Sequence, residues 1–166
     1  MKILVTCSLL LFFTLSLKAQ TPEQRLSQLE IELPEVTKPS ANFVKWRKAG
    51  NLLFLSGDGS SKKGKLGKDI TIQEGYEAAR QTGIEIIATL KEACGDLSNI
   101  KQFVKVRGMV NSTQDFYDQP KVINGFSDLM VEVFGEKGKH ARAAVGHCSL
   151  PSNIALEIEV IVELEE

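Results

Sequence analysis

Histidine, tryptophan and cysteine are scarce in this chain: two, one and three residues respectively out of 166. There is no CxxC, no HExxH and no histidine cluster, so no metal site and no cofactor are expected. Basic residues run no longer than pairs such as Lys62-Lys63, and no aromatic stripe accompanies them. That argues against a nucleic-acid partner held by phosphate contacts or base stacking. The glycine-rich stretch from Gly57 to Gly67 lacks the GxxxxGK[ST] spacing of a phosphate cradle and reads as a mobile, solvated loop. The composition is 43% hydrophobic and 25% charged, which excludes a disordered, collagen-like or low-complexity chain.

The N-terminus has its own logic. Met1-Lys2 supplies one positive charge, Ile3 to Leu17 is almost wholly apolar, and Lys18-Ala19-Gln20 follows. A short basic start, an apolar core and a small residue at the cut site describe a signal peptide over residues 1–19. The apolar run falls short of the roughly 20 residues of a membrane span. Cleavage after Ala19 implies an exported, periplasmic protein with no membrane contact afterwards. It would take the formal charge from −1 to −3, because Lys2 and Lys18 leave. The remainder is the size of one domain, with residues 20–38 an N-terminal extension and 39–166 the domain itself. Such a domain buries about two thirds of its unfolded surface and needs no disulfide. Cys94 and Cys148 therefore read as two separately buried thiols.

Element order follows from periodicity. Thr21-Pro22-Glu23 opens a helix to about Leu29. Phe43–Lys48 and Leu52–Ser56 read as a hairpin turning at Gly50-Asn51. Ile72, Tyr76, Ala79, Gly83, Ile87, Leu90 and Cys94 form one helical stripe, closed by Gly95. A strand follows over Ile100–Val110, with Val104 and Val106 alternating with Lys105 and Arg107. A second long helix runs from about Gln119 to Phe134 on the stripe Val122, Phe126, Leu129 or Met130, and Val133. Arg142–Cys148 and Leu156–Glu163 complete the strands. Two helices can cover one face of such a sheet, which predicts an α+β, two-layer sandwich with a mixed sheet. Its other face carries Glu157, Glu159 and Lys105 or Arg107, and must meet water or another subunit.

The segment from Ala141-Arg142-Ala143-Ala144-Val145 through Leu150-Pro151 to Leu156-Glu157-Ile158-Glu159 resembles the signature of the RidA/YjgF family. That family is also labelled endoribonuclease L-PSP or chorismate mutase-like. Leu53-Phe54-Leu55-Ser56-Gly57 resembles its second strand and Asn124 the asparagine of its second helix. The resemblance implies a chorismate-mutase-like fold assembled as a homotrimer, with small-ligand clefts between subunits. It further implies hydrolysis of 2-imino or enamino acids to 2-oxo acids and ammonia. By position, Arg142 matches the arginine that holds the substrate carboxylate, and Glu157 the glutamate beside the attacking water. Phe43, Ser56, Gly57, Asn124 and Ala144 match the residues lining the cleft. Family deaminases usually have tyrosine at the place of Phe43 and often cysteine at that of Ala144, so this chain lacks one hydroxyl and one thiol. Three readings stay open: an imine or enamine deaminase, a non-catalytic binder of small carboxylates, and a ribonuclease, which the acidic balance disfavours. Arg142 has a structural alternative too, an ion pair with Glu157 or Glu159 across neighbouring strands.

Overall fold

The computed structural model describes residues 20–166, so the expected signal peptide lies outside the described residues. Helix α1 (Pro22–Gln28) begins at a capping box in which Thr21 and Gln24 satisfy each other's backbone N–H groups. Strands β1 (Trp46–Ala49) and β2 (Leu52–Leu55) form the hairpin, and a two-residue strand β3 (Asp58–Gly59) follows. Then come α2 (Ile72–Cys94), β4 (Ile100–Asn111), α3 (Gln119–Phe134), β5 (Ala141–His147) and β6 (Leu156–Leu164).

The sheet runs β1-β2-β6-β4-β5, with β3 paired to β6. Only β4 and β5 are parallel, and α3 is the crossover that a parallel pair requires. The fold is α+β in two layers, as expected. Strand β6 shows why: Leu156, Ile158, Val160 and Val162 are buried under the helices, while Glu157, Glu159, Ile161 and Glu163 point to the open face. Buried side chains of α2 (Ile86, Ile87, Leu90) and α3 (Val122, Phe126, Leu129, Met130, Val133) complete one core. The two helices approach closely at Gly125, where a Cβ would stand 2.0 Å from the Tyr76 carbonyl oxygen. No helix among the described residues is long and apolar enough to cross a membrane.

Four expectations need correction. The stretch 57–67 is not a solvated loop. Its β3 pairs with Ile158 and Glu157, and Ser60, Gly64 and Leu66 are buried. Its backbone is pinned by bonds from Ser60 to Leu156, Gly64 to Asn153 and Leu66 to Asn111. Those partners lie 45 or more residues further along the chain, so local glycine content misled. In β4, register shifts near Ile100 and Phe103 break strict alternation, so Phe103 and Val106 are buried while Val104 is half-exposed. Strand β1 starts at Trp46 and leaves Phe43 outside it, 53% exposed. Both thiols are free, but Cys148 is exposed rather than buried.

Candidate functional site

Arg142 sits near the start of edge strand β5, opposite Val106 in the register. Val106 is a core residue, so Arg142 points to the helix side of the sheet. There its Nη1 donates to Asn124 Oδ1 at 2.9 Å and to Ser127 Oγ at 3.0 Å. Asn124 and Ser127 lie three residues apart on α3, which puts both on the face beside β5. Nη1 carries two hydrogens, and these bonds use both. Nη2 and Nε have no hydrogen-bond partner among the described residues. Arg142 also pairs with no carboxylate there, which removes the structural ion pair with Glu157 or Glu159.

The guanidinium opens on a cavity of about 230 Å³ lined by Ser127, Val131, Lys139, His140 and Arg142. His140 Nδ1 lies 2.7 Å from the Gly138 carbonyl, and its Nε2 lies 3.1 Å from Ser127 Oγ. Its ring packs near Phe103 and Phe126. Burial and the neighbouring Arg142 charge hold its pKa below the ordinary histidine value, against the bond to Gly138. Ser127 and His140 were not among the sequence-derived site residues. The signals were present, as a helix position three after Asn124 and a histidine two before Arg142. Ala144, two residues after Arg142, shares its face and packs against the core.

The other matched residues gather elsewhere. Glu157 faces the open side of the sheet, next to Met109 in the register. Its carboxylate occupies the space where Gly57 would carry a side chain: a Cβ there would meet Oε1 at 2.0 Å. A side chain at position 57 would displace the Glu157 carboxylate. Ser56 Oγ donates to the Val44 carbonyl at 2.7 Å, which ties the end of β2 to the segment carrying Phe43. Phe43 lines an apolar groove with Val36, Pro39, Val44 and Trp46.

Glu157 is half-buried, and burial, Glu159 and Asp58 together raise its pKa, with His147 opposing. It makes no hydrogen bond among the described residues. Its neighbours are better provided: Arg107 reaches Glu159 at 3.9 Å, and Lys101, Gln102 and Asn51 all reach Glu163. Within one chain, then, Arg142, Asn124 and Ala144 stand on one side of the sheet, and Glu157 stands on the other with Gly57 beside it. A single copy does not bring the two groups together.

With this geometry in place, comparison with known proteins decides the family. A model described as "YjgF/chorismate_mutase-like, putative endoribonuclease" matches residues 23–164. The chain belongs to the YjgF family. It is 40% identical over 146 residues to Protein TCP17 of Trypanosoma cruzi, covering 84% of this chain and 91% of that one. Among solved structures, Atu1372 of Agrobacterium tumefaciens, described as of unknown function, is 40% identical with a TM-score of 0.81. That match covers 87% of this chain and 94% of the other. A "putative endoribonuclease" of Shewanella oneidensis is 38% identical with a TM-score of 0.84, covering 87% and 100%. The YjgF fold therefore extends over almost all of the described chain, α1 included.

Proposed function

We propose that this YjgF-family chain binds the carboxylate of a small ligand through Arg142 and hydrolyses 2-imino or enamino acids in clefts between copies. The observation that carries the reading is the state of Arg142. Nη1 is fully committed to α3, Nη2 and Nε have no partner among the described residues, and Arg142 lines a cavity. A planar fork held in this way suits a carboxylate gripped through two parallel bonds, which lysine cannot reproduce.

The hydrolytic half requires a second copy. Glu157 of one chain would meet Arg142 of another, consistent with the homotrimer that the family resemblance implies. Glu157 is an apt base because its pKa is raised and no hydrogen bond occupies it. It would take a proton from water as the water oxygen bonds to the imine carbon. Glu157 would pass that proton to the imine nitrogen, and the resulting carbinolamine would release ammonia as its C–N bond breaks and its hydroxyl proton moves to the departing nitrogen, leaving the 2-oxo acid. We also propose export with cleavage after Ala19, on the basic start and apolar run alone.

The test follows the loss of a freshly generated 2-imino acid. Wild type should exceed the buffer rate, and Arg142→Lys should bind and turn over roughly 10–100-fold less well, the loss of a charge-assisted pair of about 1.5–3 kcal/mol. Glu157→Gln should keep binding and lose turnover. A wild-type rate equal to buffer, with carboxylate binding intact, leaves the non-catalytic binder. Phe43 and Ala144 favour that second reading, because they remove a hydroxyl and a thiol from the cleft.

A further inference from the structure

The hydrogen bonds behind Arg142 have a direction, and it can be assigned atom by atom. The Gly138 carbonyl only accepts, so His140 carries its proton on Nδ1. In the neutral ring Nε2 is then an acceptor, and the Ser127 hydroxyl must donate to it. The Ser127 oxygen in turn accepts from Arg142 Nη1. The single proton of Ser127 is thereby committed to His140 and withheld from a ligand in the cavity that both residues line.

We propose that His140, a positioning residue acting through the ligand-contacting Ser127, makes carboxylate binding at Arg142 proton-linked. An arriving carboxylate draws one proton from solvent onto His140 Nε2, and the Ser127 hydroxyl turns to donate to the ligand. This rests on the reading of Arg142 as the carboxylate holder. In the free site the half-buried ring beside the Arg142 cation favours neutral His140. A bound carboxylate offsets that cation. With Nε2 protonated, Ser127 Oγ can accept from both His140 and Arg142 through its two lone pairs, and its own hydrogen is released for the ligand.

The surroundings of the ring support this sign. From β5 it faces Arg142, and Lys139 precedes it in the turn. From α3 and β4 it faces Phe126, Ser127 and Phe103, which carry no charge. Glu136 is held by Lys139 at 2.8 Å, and among the described residues no carboxylate bonds the ring to compete with the ligand for the proton. By linkage, affinity must rise as pH falls toward the range in which His140 protonates, by at most about tenfold per pH unit for one proton.

Calorimetry with 2-oxobutanoate, which stays ionised throughout, tests this at pH 5.5 and 7.5 in buffers of different ionisation enthalpy. Wild type should bind several-fold more tightly at pH 5.5 and take up a fraction of one proton on binding near neutral pH. His140→Gln should still bind but lose the uptake and most of the pH dependence; whatever remains reports Glu157. Ser127→Ala should lose affinity mainly at pH 5.5, where the hydroxyl serves the ligand. Binding to wild type that is flat in pH and free of proton uptake would overturn the inference alone. The same holds if His140→Gln keeps the wild-type pH dependence. Absence of binding at either pH would overturn the carboxylate reading as well. Should the variants not fold, the His140 ring can be titrated in wild type by NMR. Its titration point should rise when 2-oxobutanoate is added, and an unchanged point counts against the linkage.

Discussion

Glu157 and Glu74 show two opposite carboxylate environments. Glu157 lies half-buried near Glu159 and Asp58, and its pKa is raised. The folded state therefore holds its proton more tightly than the unfolded chain, and stability is lost as pH rises through the folded value. Glu157→Gln should accordingly raise Tm at pH 7, on the order of 1–2 °C, with no gain once pH is below the carboxylate range. Glu74 is partly exposed but bonded to Lys62 and to Thr71 in the cap of α2, which lowers its pKa from 4.5 to about 2. Its contribution is present above the ordinary value and disappears as pH falls toward 2. Thermal melts of Glu74→Gln and wild type should therefore differ at pH 7 and converge at the acid end. At this scale the sequence was informative about residue type only. The sequence reading closed α2 at Gly95 and did not single out Thr71 and Glu74, whose capping box the structure shows; Asp58, beside Glu157, comes from β3.

At the scale of elements, the contact between α2 and α3 depends on a missing side chain. Alanine is ordinarily the better helix former by about 1 kcal/mol. At Gly125 the sign should reverse, because a methyl group would collide with the Tyr76 backbone and separate the helices. Overpacking of this kind costs about 1–3 kcal/mol. Gly125→Ala should lower Tm by roughly 3–10 °C, read by calorimetry, while an exposed control such as Glu92→Ala should move it little. The long helices were legible because amphipathic stripes survive any tertiary context. The short β3 was not, because a two-residue strand is defined by its partner. The β4 register shifts escaped for the same reason: a bulge is a relation between strands.

For the whole molecule, the open sheet face is the surface on which the proposed assembly rests. It carries Phe54, 39% exposed, and Val145 beside charged residues, and Glu159 and Glu163 already have partners within the chain. Burying that face against other copies therefore leaves fewer uncompensated charges than the sequence pattern suggested. Sedimentation should give three copies per particle. Phe54→Asp should dissociate them while the isolated chain stays folded, since this side chain is outside its core. A monomeric wild type would remove the shared cleft.

The sequence by itself determined the two-layer α+β architecture, the limits of both long helices, and the alternation of β6 that assigns Glu157 and Glu159 to one face. These rest on local periodicity, which a chain carries wherever it folds. The tertiary structure alone decided that Arg142 and Glu157 lie on opposite sides of one sheet. Face depends on register, and register depends on partners far along the chain. It also decided that Ser127 and His140 stand behind Arg142, since a helix position and a turn residue meet only when α3 packs across β5. Chemistry built from such meetings becomes visible only in the folded chain.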